Sequence, residues 1–255
     1  MIVMKFGGSS LADAARFRQV ADLVAANDPT PRCVVLSAMG RTTDALFDAA
    51  RRAETGDGDG ASAAVAELFA RGYATAGELL QEPEAVLAEF ARMQHDLDTL
   101  LRGVALLRER TARTTDAIVA HGERMSTALV TELLRERGHA VTHVDARRVL
   151  RTDDRFGAAN PSRPAIRELV AQHLRPLLVH GAIVVVEGYV GSTDAGATTT
   201  LGRGGSDWSA ALLGEALAAT EVQIWTDVEG VLTADPRVVA GARPIATLSA
   251  NEAAE

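Results

Sequence analysis

Lysine is almost missing from this 255-residue chain: of its 26 lysine and arginine residues, all but Lys5 are arginine. A composition this biased uses arginine wherever either cation serves. The surviving lysine therefore marks a position suited to a compact, strongly hydrated ammonium on a flexible stem, which a planar guanidinium fork cannot imitate. Cysteine is as scarce. The single Cys33 excludes an internal disulfide, and its apolar run Cys33-Val34-Val35-Leu36 reads as buried strand, with the thiol a small hydrophobe. No apolar run approaches the ~18 residues of a membrane span, and no signal peptide opens the chain, so a soluble cytoplasmic protein is expected. Positive charge is short, with a net charge of −8 and no basic stripe, which argues against a general nucleic-acid binder. No Gly-Lys-Ser/Thr occurs, so there is no P-loop, and no GxGxxG opens a strand–helix unit. The six histidines form no constellation, and His121 reads as structural. Thr55 to Gly60 alternates glycine with aspartate, but glycines fall on ligand positions and no glutamate closes the loop, which excludes a calcium site. No repeat of solenoid period is present.

What remains is a chain long enough for one large domain or two small ones, with 47% hydrophobic residues available for a core. Strands are expected at Ile2–Phe6, Arg32–Ser37, Ala140–Val144, Ala182–Glu187 and Glu221–Trp225. Helices are expected from a capping signal at Ser10, from Thr43, across Asp116 to Arg137, at Ile166–Leu174 and at Ser206–Ala219. Phe17, Val20 and Val24 mark one helix face, Met125, Leu129 and Leu133 a second, and Trp208, Ala211, Leu212 and Ala216 a third. Residues 61–112 read as a helical insertion. Strands that alternate with helices and are too uniformly apolar to have a wet face indicate a largely parallel sheet covered on both sides.

Ligands of open α/β sheets sit at the carboxyl ends of the strands. The polar and glycine-rich breaks gather there: Gly7-Gly8-Ser9-Ser10, Ser37 to Gly40, Gly188 to Thr200, Leu201 to Asp207 and Thr226 to Gly230. Gly7-Gly8 and Gly204-Gly205 each precede a helix, where backbone N–H groups and the helix N-terminus favour an anion. Either pair alone could be a tight turn. Both together with Lys5 favour a triphosphate cradle.

Four segments then carry a family resemblance. Lys5-Phe6-Gly7-Gly8-Ser9-Ser10, His121-Gly122-Glu123-Arg124-Met125-Ser126, Thr198 through Asp207 and Trp225 through Arg237 resemble, in order and over essentially the whole chain, the catalytic domain of aspartate kinase, within the amino acid kinase family. The resemblance implies an α/β three-layer sandwich with a mainly parallel central sheet and the helical insertion at about 61–112. It implies one catalytic domain over 1–255, with the amino acid mainly on 1–190 and the nucleotide mainly on 191–255. The implied reaction is ATP- and Mg2+-dependent phosphorylation of L-aspartate to 4-phospho-L-aspartate, the first step toward lysine, threonine and methionine. The family's next segment and its regulatory ACT domains lie beyond Glu255. The chain is therefore expected to be a C-terminally truncated catalytic domain, a homo-oligomer when full length, with fused or separate regulatory domains.

Resemblance also distributes roles. Lys5 and Asp207 would be catalytic; Ser37, Thr43, Glu123, Arg203 and Ser206 would bind aspartate. Lys5, Gly7, Gly8, Ser9, Gly204, Gly205, Thr226, Asp227 and Arg237 would bind the nucleotide, with Mg2+ held through the ATP phosphates and no dedicated metal ligands. The chemistry is consistent with these types. A side-chain carboxylate, with a pKa near ~3.9, is already an ionised nucleophile at neutral pH, so no catalytic histidine is needed. Cations must offset its repulsion from a polyphosphate. An α-ammonium calls for a buried anion and an α-carboxylate for a fork-shaped cation. Read without the motifs, Glu123 is a solvated helix acid and Asp207 a helix-end acid suited to the dipole. Ser9 replaces a common threonine, and Leu232 stands where some relatives place a tyrosine. Two alternatives stay open: another amino acid kinase such as acetylglutamate kinase, or a truncated module that binds nucleotide or amino acid without turnover.

Overall fold

The computed structural model describes residues 1–26, 31–178, 182–228, 230–249 and 251–252, in two compact units, Met1–Trp225 and Thr226–Glu255. The elements of the first unit are β1 (Ile2–Phe6), α1 (Ala14–Ala25), β2 (Arg32–Leu36), α2 (Thr42–Glu54), α3 (Gly58–Leu79), α4 (Glu84–Leu107), α5 (Ala112–Val119) and α6 (His121–Glu136). They continue with β3 (Val141–Val144), α7 (Arg163–His173), β4 (Ile183–Glu187), β5 (Val190–Ser192), β6 (Thr198–Thr200), α8 (Gly205–Leu217) and β7 (Glu221–Trp225).

The central sheet runs β3-β4-β2-β1-β7 with every pairing parallel, and β5 and β6 form a separate antiparallel pair. The most apolar strands, β1, β2 and β4, lie in the middle because both their faces are covered. Met4, Phe6, Val34, Leu36 and Val185 enter one core with α1, α2, α6 and the α3–α4 insertion. Val3, Cys33, Val35, Val184 and Val186 enter a second core with α7 and α8. Alternation along each strand thus divides the side chains between two helical layers. The result is the expected three-layer sandwich. Among the described residues, no helix is long and apolar enough to cross a membrane.

Local details depart from the sequence expectations. Ser10 does not start a helix: Gly8–Leu11 is a 3-10 turn, and Asp13 caps α1 by accepting from the Arg16 N–H at 2.9 Å. The insertion begins at Gly58, because Asp57 caps α3 through the Gly60 N–H. The helix expected from Asp116 to Arg137 is two helices divided at Ala120, where the His121 ring takes the Ala117 and Ile118 carbonyls. Trp208 and Ala211 are exposed, since α8 turns Ala210, Leu213 and Leu217 toward the sheet together with Leu212 and Ala216. The expectation that strands lack a wet face holds for β1, β2 and β4 and fails at the two edge strands, β3, where Thr142 is exposed, and β7, where Val222 and Ile224 are exposed.

The second unit contains an antiparallel bridge between Leu232 and Pro244, flanked by hydrogen bonds from Thr233 N–H to the Arg243 carbonyl and from Ile245 N–H to the Val231 carbonyl.

Candidate active site

A cleft of about 590 Å³ opens at the carboxyl ends of β1, β2 and β4. Lys5 reaches it from β1, where its backbone is paired between Val35 of β2 and Ile224 of β7. Its stem is buried, and Nζ meets Asp207 Oδ1 at 2.6 Å. Asp207 stands in the first turn of α8, half exposed, so the pair joins a buried cation to an acid open to the cleft.

The loop after β1 is held against the loop after β2. The Gly40 N–H donates to the Gly8 carbonyl at 3.0 Å, and a Cβ on Gly8 would lie 2.9 Å from the Gly40 oxygen and 3.0 Å from that of Ala38. Only glycine permits that approach without displacing backbone. At the start of α8, Gly204 has φ +72°, a left-handed conformation that lets the chain turn from β6 into the helix. The Gly7 N–H donates to the Trp225 carbonyl at 3.4 Å, and that of Gly205 to the Gly202 carbonyl at 3.0 Å. Both amides are thus committed to the fold. Those of Gly8 and Gly204 have no acceptor among the described residues.

Glu123 also lines the cleft, in the first turn of α6 and 3% exposed. Its Oε1 accepts from the Ala38 N–H at 3.3 Å, and its Oε2 is buried without a partner among the described residues. Burial, reinforced by the charge of Glu187, pushes this carboxyl up to about 8. Ser37, Thr43, Arg203 and Ser206 line the same cleft. Arg203 is exposed, and its guanidinium has no partner among the described residues.

The remaining expected positions make local contacts of their own. Ser9 is not in the cleft lining, and its carbonyl accepts from Arg16 Nη1. Thr226, Asp227 and Arg237 belong to the second unit. There Thr226 Oγ1 donates to Asp227 Oδ1 at 3.1 Å, while Arg237 forks onto Asp235 at 3.0 and 2.7 Å. Asp235 also accepts from the Arg237 N–H, the structural turn role that Asp-Pro suggests. Glu229 of that motif lies outside the described residues.

The sequence reading missed several neighbours. Tyr189 lines the cleft at φ +68°, a strained conformation for a bulky residue that no local pattern announces. Asp116, 1% exposed, accepts from the N–H groups of Gly157 and Thr200, both at 2.9 Å, and from Thr200 Oγ1 at 2.8 Å. It thereby fastens the Gly157 loop, another cleft wall, to β6. Burial raises its pKa despite those bonds.

A model of the amino acid kinase family matches residues 1–255. The lysine-sensitive aspartokinase 3 of Escherichia coli is 43% identical over 255 residues, which cover 100% of this chain and 55% of that protein. The chloroplastic aspartokinase 1 of Arabidopsis thaliana is 38% identical over 264 residues, covering 99% of this chain and 44% of that protein. The crystal structure of E. coli aspartokinase III in complex with aspartate and ADP, in the R-state, superposes with a TM-score of 0.88 at 41% identity, over 96% of this chain and 53% of that one. The chain spans about half the length of the curated relatives it matches.

Proposed function

The chain belongs to the amino acid kinase family, and on that premise we propose that its cleft transfers the γ-phosphoryl group of ATP to the side-chain carboxylate of L-aspartate, giving 4-phospho-L-aspartate and ADP. The observation that carries this reading is the unpartnered Glu123 Oε2, buried in the same cleft as the Lys5–Asp207 pair. A buried carboxylate oxygen with no partner is costly unless a cation reaches it. The α-ammonium of an amino acid is such a cation, and an N-acetylated substrate lacks it. The unpaired fork of Arg203 suits the α-carboxylate, with Ser37, Thr43 and Ser206 as further polar contacts. The aspartate and ADP in the related E. coli structure support the same assignment.

The side-chain carboxylate then attacks the γ-phosphorus, a P–O bond forms to it, and the bond to the bridging oxygen breaks with ADP as leaving group. Catalysis is positioning and charge neutralisation. Lys5 offsets the negative charge shared by nucleophile and phosphoryl group, and Asp207 steers the ammonium. Gly8 and Gly204 offer the N–H groups still free for phosphate oxygens, while Gly7, Gly205 and Ser9 shape the loops that present them. In this reading the amino acid lies mainly on residues 1–190 and the nucleotide on 191–255, where Thr226, Asp227 and Arg237 would contact it. Asp207 is half exposed and so can meet a hydrated ion. Mg2+ keeps waters and binds through one or two carboxylates plus phosphates, so the site fits an ion brought by ATP, which would neutralise phosphate oxygens. Regulatory segments and a homo-oligomer belong to the same proposal for the whole protein.

Trapping the acyl phosphate with hydroxylamine tests the reading. Hydroxamate should form with ATP and L-aspartate and not with N-acetylglutamate. Turnover only with the acetylated substrate would move the chain to an acetylglutamate kinase reaction, and nucleotide binding without any hydroxamate would leave a binding module.

A further inference from the structure

A buried carboxylate outside the cleft lining has no role in the proposed reaction. Glu187 ends β4 and is 1% exposed. Its Oε2 accepts from the Ala146 N–H at 2.8 Å, and its Oε1 meets His143 Nε2 at 2.5 Å. Thr127 Oγ1, which back-bonds to the Arg124 carbonyl, lies 3.3 Å from the same Oε1. Thr127 follows Glu123 by four residues on α6, so the two side chains share one helix face, one turn apart. The next residue, Gly188, donates its N–H to the Leu36 carbonyl at 2.8 Å, and the one after is Tyr189 of the cleft wall.

We infer that Glu187 is a positioning residue for Glu123, seating α6 on the carboxyl end of β4, and that its charge, balanced by His143, sets how strongly Glu123 takes the substrate's ammonium. This deepens the proposed function and rests on Glu123 being the ammonium's partner.

The charges around this pair are asymmetric. Glu123 feels Glu187 as its charged neighbour of like sign. His143 faces Glu187, Glu89 of α4 and Asp145, and burial works against its charge; the Glu187 hydrogen bond and these acids outweigh that and leave its pKa raised. Asp145 is in turn paired with Arg147 and feels Arg124. Protonated, His143 neutralises Glu187 and relieves Glu123. When His143 loses its proton, the buried negative charge next to Glu123 stands uncompensated.

Two nearly isosteric changes act on this balance with opposite signs. In Glu187→Gln the amide oxygen still accepts from Ala146 and the amide N–H donates to a neutral His143, so the seat is kept and the charge is lost. In His143→Gln the amide donates to Glu187, so the acid keeps a partner and loses its counter-charge. The experiment is KM for L-aspartate from pH 6 to pH 9 on the full chain. In the wild type, KM should rise as the pH falls below about 8, because Glu123 takes up a proton. Glu187→Gln should move that rise toward acid to the extent that wild-type His143 is neutral there, and His143→Gln should move it toward alkali to the extent that His143 is charged. In both, kcat should change less than KM. Two unshifted profiles, or shifts in the same direction, would overturn the inference, the latter by showing mere loosening of the fold. Direct titration of Glu123 by carbon NMR in the empty protein gives a readout independent of turnover. If wild type makes no aspartyl hydroxamate, the functional reading fails. If Glu123 then still titrates lower in Glu187→Gln and higher in His143→Gln, the Glu187 coupling stands without it, and unmoved Glu123 titrations would overturn it.

Discussion

The two sides of the cleft handle charge in opposite ways. On the side proposed for phosphate, Lys5 is paired to an acid that is 53% exposed, and the amides of Gly8 and Gly204, without an acceptor among the described residues, offer fixed partial charges. A pair with one arm in water is worth about 0–1 kcal/mol, so phosphate can displace Asp207 at little cost. On the side proposed for the amino acid, Glu123 is dry, accepts from the Ala38 N–H at 3.3 Å, and leaves Oε2 without a partner among the described residues. That arrangement disfavours the ionised acid until a cation arrives. In the proposed reaction the wet side would serve a charge that moves, and the dry side one that selects what enters. Variants on each side should therefore fail differently.

The largest effect is expected on the wet side. Lys5→Arg should fold, since the stem remains apolar, but its planar fork cannot follow the transferring group from a position 2.6 Å from Asp207. ADP release with L-aspartate should fall about 10³-fold, the upper range for losing one charge-stabilising donor, with the circular dichroism spectrum unchanged. A near-wild-type rate would remove Lys5 from the chemistry.

On the dry side, Glu123→Gln should raise KM for L-aspartate by about 100-fold, as expected for removing one partner of a buried charge pair, with a smaller change in kcat. Its second signature is in stability. The folded protein holds this carboxyl at about 8 against an ordinary 4.5. A raised acid favours the protonated fold, so its contribution is fully present below the ordinary value and is lost as the pH rises through about 8. The glutamine, which cannot ionise, should therefore melt higher than wild type at pH 9 and about equally at pH 4.5. Equal melting curves at pH 9 would show that Glu123 is not the strained acid. Gly8→Ala tests the joint between the sides. Its Cβ would meet two backbone oxygens at 2.9 and 3.0 Å, so denaturant unfolding should show a loss of about 1–3 kcal/mol. An unchanged midpoint would mean that the loops separate freely.

How much of this was legible depended on sequence distance. The three-layer order follows from the uniformly apolar β1, β2 and β4, whose neighbours are dictated by short-range pattern. Lys5, Gly8, Glu123, Arg203 and Asp207 lie in short motifs, and the structure gathers them on one cleft. Glu187 and Asp116 were invisible as site-shaping residues because their partners are remote: His143 is 44 residues from Glu187, and Thr200 is 84 from Asp116. Read locally, one is the end of a strand and the other a helix acid. Trp208 misled for the converse reason. Helical spacing fixes which residues share a face, but not which face the sheet will cover.

The smallest expected effect comes from the other buried titratable group at the start of α6. His121 Nδ1 donates to the carbonyls of Ala117 at 3.0 Å and Ile118 at 3.2 Å. Nε2 therefore carries the lone pair, buried and unpartnered among the described residues. Burial, aided by the Arg124 charge, pulls this imidazole down to about 4. A depressed group contributes stability that is present above its ordinary 6.5 and is lost as the pH falls toward the folded value. Glu123, two residues away, has the reverse slope, losing stability as the pH rises. The empty dry wall should thus be most comfortable on the acid side of neutrality, with His121 neutral and Glu123 protonated. His121→Asn keeps a donor for the two carbonyls and cannot charge. Between pH 6.5 and pH 5.5, urea unfolding of wild type should lose about 1 kcal/mol more than this variant. Parallel curves would show that the ring can reach water or a partner when it protonates, and that the wall behind Glu123 is less dry than its geometry requires.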